Sequence, residues 1–318
     1  MRKKCLDTIY ELAKKNKKIV FIGSDLGPNV LDSFKKKFSN RFFMEGVSEQ
    51  SIVGIAAGMA MEGNIPFVNT ISTFITRRCY EQIVIDLCLH NLPVKLVGNG
   101  GGLVYAPLGP THQAIEDFSI MRVIPNMSIV APCDEIEMEM LVRDSVKLKS
   151  PLYIRIARGG EEIISSKKEN FKIGKGILKK KPEKILFIST GVMTQRTLMA
   201  AKEIEKKGLK CGVLHMATIK PLDKKILSFW IPKVEKIITV EENILAGGFG
   251  SSILEFTSEY FPNHVNKISR MGLPDRFVDK YGSQDELCND NGLAVKNIYN
   301  LAKNTLGITL IIEKSSIA

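Results

Sequence analysis

The chain has 318 residues, 44% of them hydrophobic and 25% charged, with a formal net charge of +11. That length accommodates two domains of ~100–200 residues each, and no apolar run approaches the roughly 20 residues of a membrane-spanning helix. The opening MRKKCLDTIYELAKK has the spacing of an amphipathic helix and not of a leader, so a cytoplasmic setting with no membrane contact is expected.

Six cysteines without a CxxC pair suggest neither a disulfide framework nor a thiolate metal site, and are expected to be reduced and mostly buried. Aromatics make up 7% and do not interleave with the basic stretches. The positive charge therefore reads as a lysine-solvated surface that attracts small anions, with no nucleic acid among the expected partners.

In chain order, short apolar runs at 18–27, 65–73, 93–102, 127–132 and 151–160 alternate with helical spacing at 48–62, 74–90 and 134–149. Near-continuous Val/Ile/Leu strands separated by helices predict a parallel sheet covered on both faces. A Lys-rich bridge, SSKKENFKIGKGILKKKPEK, follows with room for one strand or hairpin. Strand and helix patterns then resume at 185–191, 194–208, 210–216, 223–230, 235–242 and 247–256. The expected class is α/β with two doubly wound domains, the first mainly parallel: 1–164, a linker over 165–184, and 185–318.

The segment GVSEQSIVGIAAGMA, 46–60, sets one acid, Glu49, before an otherwise small and apolar helix. Ile52, Ile55, Ala56 and Met59 form its apolar stripe, and Gly54 and Gly58 leave room for another backbone. From these residues alone Glu49 has two readings. It is a first-turn acid favoured by the helix macrodipole beside the cap Ser48, or a buried acid kept for proton chemistry. The Gly-rich GNGGG, 98–102, lacks the Lys-Ser/Thr of a phosphate loop and reads as a flexible loop.

Nine blocks in order decide between them: GSDLG, GVSEQSIVGIAAGMA, STFITRRCYEQ, GPTHQAIED, IPNMSIVAPCDEIE, PLYIRIAR, ATIKPLD, VEENILAGGFGS and GLPDRFVDKYGS. Together they cover nearly the whole chain, which resembles the C-terminal portion of transketolase: a pyrimidine-binding domain followed by the transketolase C-terminal domain. 1-Deoxyxylulose-5-phosphate synthase and the β subunits of 2-oxoacid dehydrogenases share that architecture, and GPTHQ favours the transketolase and synthase side.

The resemblance implies a thiamine-diphosphate enzyme. Glu49 then hydrogen-bonds a ring nitrogen of the aminopyrimidine, Phe74 stacks on that ring, Val47 presses the cofactor into its bent shape, and Asp25 and Leu26 contact it. His112 handles substrate protons, while Arg158 and Arg77 bind an anionic substrate group, for which a guanidinium fork is suited. The diphosphate and Mg²⁺ belong to a GDG motif that this sequence does not contain. A GDG-bearing N-terminal transketolase subunit is therefore the implied partner, in a heterotetramer, with sugar-phosphate-like substrates.

Leu108 and Gly100 depart from the family's acidic and histidine positions, which puts an ordinary ketose phosphate donor in question. The expected activity is transfer of a two-carbon ketol or acyl unit to an aldehyde. The alternatives are a decarboxylating subunit of the synthase or dehydrogenase kind, or a non-catalytic regulatory homologue.

Overall fold

The uninterrupted apolar runs become strands buried on both faces. The computed structural model describes residues 1–24 and 31–305. In its first half, β1 (Ile19–Ser24), β2 (Phe42–Glu45), β3 (Ile65–Ile71), β4 (Lys95–Asn99), β5 (Ser128–Val130) and β6 (Leu152–Ile156) are parallel, in the order 5-6-4-3-1-2. Alternate residues of each strand point to opposite faces. Ile19, Phe21 and Phe67 pack under helices Arg2–Lys15 and Glu135–Ser145, whereas Val20, Ile22 and Val68 pack under Glu49–Met61 and the helical stretch at 74–89.

The chain leaves β1 toward β2 on one side and returns to place β3 on the other. In open α/β sheets such a reversal opens a crevice at the carboxyl ends of the strands. Ser24, which ends β1, and the segments after β2 and β3 meet there.

β7 (Ile177–Lys180), within the Lys-rich bridge, joins β8 (Ile185–Ser189) and β9 (Cys211–His215) in a second sheet, pairing antiparallel with β9. β10 (Thr218–Lys220) instead crosses to the first sheet and pairs antiparallel with β5. β11 (Lys236–Ile244) and β12 (Ile268–Leu273) complete the second sheet, in the order 12-11-8-9-7. One core cluster contains Ile22, Ile52 and Ile129 together with Leu186, Leu214 and Ile237, so the halves share packing.

Two helical expectations change in detail. Glu49–Met61 buries Ile52, Val53, Ala56, Ala57 and Ala60, while Ile55 stays 40% exposed. A helix apolar nearly all round gives periodicity little by which to choose a face. The stretch at 74–89 is not a uniform α-helix, because Phe74–Arg78 and Ile83–Leu89 form wide π turns around Tyr80–Gln82. Such turns occur often at functional sites. All six cysteines are free and buried, and no described helix is long and apolar enough to cross a membrane.

Candidate active site

Glu49 is the first residue of its helix and only 2% exposed. Ser48 precedes it at the cap position without a side-chain capping bond. The Ser24 hydroxyl lies 3.1 Å from Glu49 Oε1 and 2.8 Å from the Gly46 carbonyl. The other oxygen, Oε2, accepts from Arg78 Nη1 at 2.8 Å. A buried carboxylate must be paired, and among the described residues this one has a single arginine as its charged partner.

The wide turn Phe74–Arg78 puts the Arg78 guanidinium over the Phe74 ring, 4.0 Å from its centroid. The His112 imidazole meets the same ring edge-on, with centroids 5.3 Å apart. Glu49, Arg78, Phe74 and His112 thus form one continuous contact chain. Nearby, the Thr73 hydroxyl and both amide atoms of Gln113 are buried without a hydrogen-bond partner among the described residues. Orphaned buried polar groups cost free energy unless a ligand or water satisfies them.

The loop bearing His112 is braced from below. Asp117 accepts from the Tyr153 hydroxyl at 2.7 Å and pairs with Arg155 at 3.1 Å. Burial pushes Asp117 up to about 6 against the opposing pull of Arg155 and Tyr153. The glycines at 100–102 are not a flexible loop, as expected from their composition, but a buried crossing. The Gly100 and Gly101 amides donate to the Ile156 carbonyl, and Gly102 exchanges both backbone hydrogen bonds with Ala114. Gly100 and Gly102 have φ of 75° and 64°, and a Cβ at Gly101 would collide with Arg155. Glycine serves close approach here.

Other expected residues lie differently. Asp25 and Leu26 fall outside the described residues. Val47 is 74% exposed in the turn before Glu49. Arg77 pairs with Glu116, Nη2 to Oε2 at 2.7 Å, and donates to the Gln113 carbonyl at 3.0 Å, so it braces the His112 loop in this chain. Arg158 makes no hydrogen bond or ion pair among the described residues, and lines a groove of about 960 Å³ with Gly160, Arg196, Gln284 and Lys296. Arg78 escaped sequence reasoning. Two adjacent arginines in STFITRRCYEQ carry no signal of which one turns toward Glu49.

Residues 1–160 match the family described as transketolase, pyrimidine binding domain, and residues 174–298 match the transketolase C-terminal domain. The chain belongs to the transketolase family. Within this family it is 38% identical over 303 residues to 1-deoxy-D-xylulose-5-phosphate synthase of Clostridium perfringens, covering 94% of this chain and 48% of that protein. It is 35% identical over 302 residues to the putative transketolase C-terminal section of Methanocaldococcus jannaschii, covering 94% and 93%.

Among solved structures, a split gene transketolase described as an inactive β4 tetramer superposes with a TM-score of 0.87 at 31% identity, covering 97% of this chain and 99% of that one. A Pichia stipitis transketolase mutant shares the fold, with a TM-score of 0.78 at 19% identity over 96% of this chain and 45% of its own. The chain thus carries the pyrimidine-binding and C-terminal domains of the transketolase family, and spans about half the length of the synthase relatives it matches.

Proposed function

We propose that this chain is the β-type subunit of a two-chain thiamine-diphosphate enzyme of the transketolase class, moving a two-carbon ketol or acyl unit to an aldehyde. The buried Glu49 carboxylate, joined through Arg78 to the Phe74 ring, carries this reading. The residues fit an aminopyrimidine: a buried acceptor, an aromatic face, and, next in sequence to Phe74 and His112, buried polar groups on Thr73 and Gln113 without a partner among the described residues. When bound, thiamine diphosphate supplies a carbon nucleophile for cleaving and forming the bond next to a carbonyl. Glu49 would share a proton with a ring nitrogen, a task that suits a carboxylate buried away from water. Phe74 would orient the ring, and His112 would move protons at the substrate oxygens.

The diphosphate and Mg²⁺ would be held mainly by a GDG-bearing partner subunit in a heterotetramer. In support, this sequence has no GDG, one relative is described as a transketolase C-terminal section, and the similar split gene transketolase is described as inactive in its β4 form. Arg158, which lines the groove without a partner among the described residues, and Arg77, once released from Glu116, would receive an anionic substrate group. A decarboxylating reaction on a 2-oxoacid donor is the second reading, favoured by the 38% identity to the synthase and by Leu108 in place of an acid.

The test is to mix this chain with a GDG-bearing candidate, thiamine diphosphate and Mg²⁺, and assay xylulose 5-phosphate and 2-oxoacid donors separately. Activity is expected only in the mixture. Glu49→Gln keeps the shape but cannot share the proton, so exchange of the thiazolium proton, followed by NMR, should slow by orders of magnitude in a folded complex. Tight metal-dependent cofactor binding by this chain alone would refute the two-chain reading, and unchanged exchange in the variant would return Glu49 to a helix-terminal acid.

A further inference from the structure

Arg77 and Arg78 are neighbours with separate duties. Arg77 is tied to Glu116 and the Gln113 carbonyl, whereas Arg78 reaches Glu49 Oε2 at 2.8 Å and lies over Phe74 at 4.0 Å. A guanidinium is flat, stacks on aromatic rings and presents a fork of donors to a carboxylate. Those are the features by which a flat, amino-bearing heterocycle would engage the same two residues. The geometry points to Arg78 as an internal occupant of the pyrimidine slot: in the chain by itself it covers Phe74 and satisfies Glu49, and an aminopyrimidine enters only as Arg78 swings out. This rests on the proposed reading of Glu49 and Phe74.

The two partners differ in what they lose on separation. The Arg78 side chain is 44% exposed and regains water when it leaves, while the Glu49 side chain is 1% exposed and cannot stand unpaired. Exchange is therefore one donor for another at Glu49, and the slot is closed unless an incoming ring replaces the guanidinium. Arg78 thereby sets the threshold for loading and restrains the unassembled chain from holding cofactor.

The experiment titrates the full chain with thiamine by calorimetry, comparing wild type with R78A, R78K, E49Q and the R78A/E49Q pair, each checked for native circular dichroism. R78A should bind thiamine at least tenfold more tightly than wild type. R78K, which keeps the charge but cannot lie flat, should fall between, and the double variant should lose the gain. In parallel, the Arg78 Nε–Hε resonance, assigned by its absence in R78A, should move toward the position of a free arginine as thiamine saturates the wild-type chain.

R78A binding that is undetectable or no tighter than wild type overturns the proposal. So does a resonance that stays in place while thiamine binds. If E49Q loses binding and R78A gains nothing, only the role of Arg78 falls. If wild type, R78A and E49Q bind alike, the reading of Glu49 falls with it.

Discussion

Leu108 closes a short 3-10 turn, Ala106–Leu108, immediately before Gly109 and the His112 loop, with 49% of its surface exposed. In the proposed enzyme an apolar side chain there leaves a donor hydroxyl unpaired, at about 1–3 kcal/mol where water is excluded. That corresponds to a factor of about 5 to 150. The exposure places the effect at the low end, because water can satisfy part of the hydroxyl's need. Leu108→Asp should therefore raise the preference for a hydroxyl-bearing donor over its deoxy analogue by about 5- to 10-fold, measured as a ratio of kcat/KM. A wild-type enzyme that already favours xylulose 5-phosphate widely, with no gain in the variant, removes this position from substrate choice.

At the scale of elements, the Tyr153 side chain of β6 lies over β4 so that Gly98 admits no side chain. An added Cβ would lie 2.7 Å from the Tyr153 ring and 2.9 Å from the Ser72 hydroxyl, and Tyr153 is itself pinned to Asp117. Gly98→Ala should destabilise by about 1–3 kcal/mol, the usual cost of overpacking, read from the midpoint of urea unfolding.

A second junction ties helix Glu135–Ser145 to the end of β9. Glu137 Oε2 meets His215 Nε2 at 2.8 Å, Thr194 Oγ1 meets His215 Nδ1 at 2.7 Å, and both members of the ion pair are fully buried. Burial alone would raise the Glu137 pKa, yet the His215 charge and the hydrogen bonds from His215 and the Cys133 amide outweigh it and hold the pKa below the ordinary value. A carboxyl lowered on folding contributes stability that is present above its unfolded pKa, about 4.3, and is lost as pH falls through the folded value. His215→Ala leaves the buried Glu137 with only the Cys133 amide as a partner among the described residues, so a loss of about 3–5 kcal/mol is expected at pH 7. Glu137→Gln should flatten the acid limb of the stability curve, and denaturant titrations from pH 7 to pH 3 report both effects.

For the whole molecule, β10 carries the second half of the chain into the first sheet, where Thr218 pairs with Val130 and Lys220 with Ile129. With the shared core and the buried Glu137–His215 pair, the halves are coupled. Calorimetry of the full chain should show one unfolding transition. A fragment ending at residue 164 exposes the β5 edge and its own side of the shared core, and should be aggregation-prone without native hydrogen-exchange protection. Two resolved transitions would show that the coupling is weak.

The chain's own order of apolar and polar residues determined a great deal. Strand and helix alternation predicts most of the elements of both sheets, because buried parallel strands need unbroken apolar runs. The motif blocks also single out Glu49, Phe74 and His112, which the fold links into one contact chain through Arg78. Tertiary structure alone decided the rest. It turned the Glu49–Met61 helix onto Val53 and Ala57 in place of Ile55, since an almost wholly apolar helix has no polar side to mark solvent. It made the glycines at 100–102 a packed crossing over Arg155 and sent β10 across to β5. And it gave Arg77 to Glu116 and Arg78 to Glu49, 29 residues away in sequence, a choice set by which strand ends the sheet order makes neighbours and not by anything local to the two arginines.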